Sequence, residues 1–250
     1  VQDGALRIEP FEFVESGGTL LLNLSVTPAE KRPEVDLSLT TRNVRFGFFR
    51  AEGQAVETLP PYDIEMALEG SGANFREVAA NLNGSLRIES TGGLIVNSRV
   101  EVWFDDFLVQ LFDAILPETA EDPFTRIDCS VLGASFDRGK LKMEPGLVVR
   151  TDRQNLFARG EIDLESERLD IGFRTEARRG LGISVGKILN PFVRVGGTLG
   201  EPDLTLDATG AVISGTAAWV TGGLSIALRT LWDRIQGTQN PCVRMLEPAD

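Results

Sequence analysis

Leu20-Leu-Leu-Asn-Leu-Ser-Val26, followed by Val35-Asp-Leu-Ser-Leu39, decides the fold class. Leu20, Leu22, Leu24 and Val26 alternate with Leu21, Asn23 and Ser25, while Val35, Leu37 and Leu39 alternate with Asp36 and Ser38. A period of two puts the two sets on opposite sides of a pleated strand, so each segment reads as a strand with one apolar face. The same alternation returns at Ile64, Met66 and Leu68, at Ile162 and Leu164, at Leu169, Ile171 and Phe173, and at Leu204 and Leu206. Turn signals separate these runs: Asp3-Gly4, Gly17-Gly18, Asn83-Gly84, Gly92-Gly93 and Gly196-Gly197. Many short strands joined by tight turns predict a mainly β chain with an antiparallel meander, not a βαβ fold.

An internal repeat supports this. Gly4-Ala-Leu-Arg-Ile-Glu-Pro10, Gly84-Ser-Leu-Arg-Ile-Glu-Ser90 and Gly139-Lys-Leu-Lys-Met-Glu-Pro145 share one template: Gly, any residue, Leu, a basic residue, Ile or Met, Glu. Each glycine is expected to open a turn, and the two apolar positions to share a sheet face, as in Leu86 with Ile88 and Leu141 with Met143. Similar hairpin units added side by side give a repetitive sheet.

Three segments break the rhythm. Phe75, Val78, Ala79 and Leu82 fall at helical spacing, predicting a short amphipathic helix over 73–82 ended by Asn83-Gly84. Over 100–116, Trp103, Phe104, Phe107, Leu108, Leu111, Phe112 and Ile115 make one apolar stripe that Pro117 stops. Over 211–235, Leu224, Ala227, Leu228, Leu231, Trp232 and Ile235 share a helix face. Val212 to Trp232 holds only one charge, Arg229, and is long enough to span a bilayer. Its glycines, serines and threonines, and the absence of a basic flank, favour a buried or groove-capping helix over an interfacial or spanning one. The organisation expected is sheet repeats over 1–72, a β region with two helices over 73–209, and a helical cap and tail over 210–250.

Composition narrows the function. The 250 residues carry 25 basic and 37 acidic side chains, no histidine, and a net charge of −12. That balance argues against nucleic acid, whose phosphates require a basic face. Without histidine the commonest general base, the Ser-His-Asp and Cys-His arrangements and most zinc sites are missing. Gly180-Leu-Gly182 lacks the rest of a phosphate loop, and the acidic groups at Asp105-Asp106, at Glu118, Glu121 and Asp122, and at Asp203 and Asp207 read as solvated faces. No enzyme, metal or cofactor is expected. Cys129 and Cys242 have no CxxC partner and are compatible with free thiols or with one long-range disulfide. The chain opens on Val1 and reads as part of a longer protein, with any anchor outside it.

From Ala73 onward the chain resembles the C-terminal region of the AsmA-like family. Ala80-Asn-Leu-Asn-Gly-Ser-Leu-Arg-Ile88 is similar to that family's strand after a short helix. Thr125-Arg-Ile-Asp-Cys-Ser-Val131 with Ala134-Ser-Phe-Asp-Arg-Gly139 resembles its cysteine, phenylalanine and turn-glycine core. Gly160-Glu-Ile-Asp-Leu164 with Leu169 resembles its Gly-x-Ile-Asp-Leu signature, with Ala158 in place of the preceding glycine. Pro191-Phe-Val-Arg-Val-Gly-Gly-Thr-Leu-Gly-Glu-Pro202 with Asp207, and Asn240-Pro-Cys242, complete the order.

The resemblance implies a periplasmic portion of a bacterial envelope protein whose inner-membrane anchor lies outside this chain. Such proteins curl repeated sheet units into an elongated apolar groove that carries phospholipid between the inner and outer membranes. It implies a Cys129–Cys242 disulfide, suited to an oxidising compartment. The groove lining is then expected from Leu20, Leu22, Leu24, Val35, Leu37, Leu39, Ile64, Met66, Leu86, Ile88, Leu141, Met143, Ile162 and Leu164. Cap or membrane helices would present Trp103, Phe107, Leu111, Leu224, Leu228 and Leu231. Phospholipid acyl chains are the expected ligand, with envelope or outer-membrane proteins as further partners. The competing expectation is a structural docking module for outer-membrane assembly that carries no lipid.

Overall fold

The structure is a computed structural model that describes residues 4–15, 17–29, 32–47, 50, 52–96, 124–178, 192–207 and 240–246. Among the described residues twelve strands form one open antiparallel sheet. They are β1 (Leu6–Glu15), β2 (Gly18–Thr27), β3 (Glu34–Val44), β4 (Tyr62–Ser71), β5 (Asn83–Ser90), β6 (Gly93–Val96), β7 (Phe124–Asp137), β8 (Lys140–Thr151), β9 (Gln154–Asp163), β10 (Arg168–Ala177), β11 (Phe192–Gly197) and β12 (Pro202–Asp207). Two short helices are described, α1 (Phe75–Ala80) and α2 (Pro241–Leu246). Strand order follows chain order, except that β5 and β6 both pair with β7, β5 along its second half and β6 along its first. Strands on either side of the boundary expected at 72/73 belong to one sheet, because β4 pairs with β5 over its length.

Turn chemistry sets the meander. Arg138 and Gly139 both have positive φ, 48° and 71°, between the paired Asp137 and Lys140. This is the two-residue hairpin whose twist matches the flanking strands. Gly139 is also close-packed: its N–H donates to the Leu82 carbonyl at 2.9 Å, and its carbonyl accepts from Leu164 N–H at 2.9 Å. A Cβ there would meet the Ala80 backbone. Between β9 and β10, Asp163 Oδ1 accepts the N–H groups of Glu165 and Ser166, both at 3.0 Å. The Ser166 N–H is the main reason the Asp163 carboxyl is held below its ordinary value. Because that folded value is depressed, the contribution of Asp163 is present above the ordinary aspartate range and is lost as pH falls through the lowered one. The stability difference between Asp163→Ala and the parent, measured by urea unfolding at stepped pH, should therefore shrink toward zero on acidification.

Two features depart from the sequence expectations near α1. Asn74 caps the helix, accepting from Glu77 N–H at 3.0 Å, and Val78 and Leu82 lie against the space beside Gly70 of β4. Phe75, however, is 95% exposed, because it occupies the first helical position, before the turn that reaches β4. Asn83 and Gly84 do not end the helix in a turn; α1 stops at Ala80 and both residues open β5. Gly84 is thus the one glycine of the repeat template that lies within a strand, where a side chain would strike the Ala67 carbonyl. The helices expected over 100–116 and 211–235, with Trp103, Phe107, Leu111, Leu224, Leu228 and Leu231, lie outside the described residues. No described helix is long and apolar enough to cross a membrane.

A buried threonine repairs the ladder where β3 and β4 slip register between Thr41 and Val44. Thr41 is fully buried; its hydroxyl donates to the Tyr62 carbonyl and accepts from Ile64 N–H, each at 3.0 Å. Thr41→Val keeps the shape and orphans both groups, a loss of about 2 kcal/mol in urea unfolding.

Candidate functional site

Strand register assembles one continuous apolar face. Reading across the sheet, Ile8, Leu24, Leu37 and Leu68 form one row, and Phe11, Leu22, Leu39, Met66, Leu86 and Ala134 the next. Leu20, Ile64, Ile88, Leu132, Leu147, Ala158, Phe173 and Val193 continue on the same side. Leu141 pairs with Ile162, and Ile162 with Leu169, so the β8–β10 end follows the same phase. Thirteen of the expected lining positions lie on strands, Val35 opposite Val26 at one end of the face and Met143 two residues from Leu141 in β8. Leu164 does not; it is half-buried in the turn after β9.

The opposite face is polar and pairs its own charges. Asn23 donates to Ser38 at 3.1 Å and Ser25 to Asp36 at 2.9 Å. Arg42 binds Glu65, Arg87 binds Glu89, and Arg194 grips Asp170 through two hydrogen bonds of 2.7 and 2.8 Å. The Arg42 hydrogen bond is the main cause that lowers the Glu65 carboxyl. The exposed Arg42–Glu65 pair adds little stability, and together with the part-buried Arg194–Asp170 pair it keeps this face in water.

Exposure varies along the apolar face. At the β8–β12 end, Leu156, Val193 and Val195 are buried, with Val149, Leu169, Ile171, Phe173 and Leu204 packed against them. At the β1 end, Phe11 and Phe13 are 53% and 49% exposed, and Leu6 and Ile8 are also exposed. On β2 to β5 the leucines, isoleucines and Met66 are half-buried. Among the described residues the face therefore runs from a filled core at β8–β12, through half-buried residues on β2–β5, to an exposed edge at β1. Surfaces of that kind mark ligand, membrane or protein contacts.

A depression of about 670 Å³ crosses β1–β5, with Arg7, Asn23, Ser25, Asp36, Ser38 and Ser85 among its lining residues. Ile8, Leu24, Leu37 and Leu68 of the apolar row also line it, so the hollow draws on residues of both phases. Among the described residues no group of three metal-ligating side chains comes together.

Cys129 and Cys242 are joined in a disulfide that ties α2 to the polar face. Sequence reasoning missed what the bond covers: Val131, Val148 and Phe157 pack with both cysteines and Met245 into a second core. Two unbroken apolar runs carried that signal, Leu147-Val-Val149 and Leu156-Phe-Ala158, since a strand apolar at every position is covered on both faces. Ordering the six residues of α2 costs about 6–12 kcal/mol of backbone entropy. Burying Cys242 and Met245, and covering Val131, Val148 and Phe157, offset part of this. The crosslink adds to that offset by restricting the unfolded chain, about 5 kcal/mol for its sequence separation of 113.

No family model, curated protein or solved structure matches this chain.

Proposed function

We propose that the chain is a lipid-binding segment of an AsmA-like envelope protein, located in the periplasm as part of an inner-membrane-anchored molecule. In this reading the sheet curls so that its apolar face becomes a groove floor, and phospholipid acyl chains lie across it on their way between inner and outer membranes. The observation that carries the reading is the continuity of the apolar face over β1 to β10 together with its exposure at β1 and only partial burial on β2–β5. Each methylene moved from water onto that face is worth about 0.8 kcal/mol, so a single acyl chain gives ample affinity without a headgroup site. The self-paired charges opposite suit a wall facing water, and with the net charge of −12 they disfavour nucleic acid. The proposal assigns no catalysis.

A second reading, a structural docking module for envelope or outer-membrane proteins, is favoured by the β8–β12 end, where side chains already fill the apolar face. Native mass spectrometry with organic extraction, on protein purified from a bacterial periplasm, separates the two. Near-stoichiometric phospholipid is the expected result. A lipid-free mass, from folded protein that also fails to take up fluorescent phospholipid, overturns the proposal in favour of the module.

A further inference from the structure

The polar face carries an apolar island. Val131, Val148 and Phe157 stand in one cross-strand row on β7, β8 and β9, with Glu89 before them and Arg174 after. They are almost wholly buried, beneath Cys242 and Met245 of α2. α2 itself has only six residues, far below the length at which a helix holds its own shape. Its Val243 is half exposed, so its anchorage comes from one side. Asn240 closes its first turn, accepting from Cys242 N–H at 3.1 Å.

We infer that α2 is a covalently latched cover: the Cys129–Cys242 bond, more than the helix's own packing, holds it over the Val131–Val148–Phe157 row, and cleaving the bond uncovers that row. The latch opens by exchange with a dithiol. One thiolate attacks a sulfur of the bond, the second thiolate displaces the mixed disulfide, and the products are two cysteine thiols and the oxidised reagent. Both sulfurs belong to buried residues, so attack waits on local opening of α2 and reduction of the folded protein is slow. The device is therefore set once, by oxidation, and stays closed in an oxidising compartment. The sheet does not depend on it, because every β pairing described is made without α2.

Hydrogen exchange on the full 250-residue chain tests this, comparing oxidised protein, protein reduced with dithiothreitol, Cys242→Ser, and Met245→Ala with its disulfide intact. Reduction and Cys242→Ser should each speed exchange over 241–246 at least about tenfold and raise the fluorescence of a hydrophobic dye. The amides of β2–β4 should change less than about twofold, and Met245→Ala should keep α2 protected. Three outcomes overturn the latch. α2 could stay protected after reduction, or lose protection in Met245→Ala with the bond closed. Alternatively, the whole sheet could lose protection together with α2, which would make the bond a general staple.

Discussion

Glutamate at Leu22 and Leu37 together should lower the phospholipid carried by the chain at least about tenfold, while glutamate at Asn23 and Ser38 should leave it within about twofold. The four positions lie on adjacent strands: Leu22 and Leu37 are diagonal neighbours on the apolar face, Asn23 and Ser38 direct partners on the polar one. A carboxylate forced among acyl chains without a partner costs several kcal/mol. Since about 1.4 kcal/mol is a factor of ten, even a partly hydrated carboxylate has this effect. The leucines are half-buried and not part of a closed core, so the sheet should survive the exchange, as circular dichroism can verify. The control pair carries the same added charge, which separates loss of the surface from a change in net charge. Equal lipid content in both variants would contradict the assignment of faces.

Phe157→Ala in the oxidised protein should cost about 3–5 kcal/mol in urea unfolding, the loss typical of a large aromatic removed from a filled core. The ring is almost fully buried, packed with Val148, Cys242 and Met245. In a Cys242→Ser background the same substitution should cost far less, because the latch account has already left the ring uncovered. Cys242→Ser alone should cost clearly less than the ~5 kcal/mol that chain entropy assigns to a loop of this length. Once the bond is gone the native state also regains the freedom of its C-terminal segment, and the two gains largely cancel. Equal costs for Phe157→Ala in both backgrounds would mean that the island stays covered without the bond.

The apolar face was readable because it rests on a period of two that turns cannot hide. Leu20, Leu22 and Leu24 needed only the pleat to share a side, and the register then set them beside Leu37, Leu39, Ile64 and Met66. Leu164 followed the same alternation in sequence, yet the Asp163 turn took it off the strand. Phe75 misled for a related reason: a stripe at helical spacing fixes which residues share a side, not whether the helix is long enough to bury all of them. The second core escaped because its row lies one strand phase away from the leucines that dominate the pattern, and its cover comes from α2, far along the chain. Burial by a distant segment leaves no periodic trace in the strands it covers beyond their lack of polar positions.

The most direct test places a photo-crosslinking benzoyl-phenylalanine at Leu37 in one variant and at Ser38 in another, then irradiates each with phospholipid vesicles. Neighbours in β3, the two side chains point to opposite sides of the sheet. The account predicts lipid adducts at position 37 and essentially none at position 38. Adducts at both positions in equal yield, or at neither in a folded protein, would contradict the claim that the apolar face holds acyl chains.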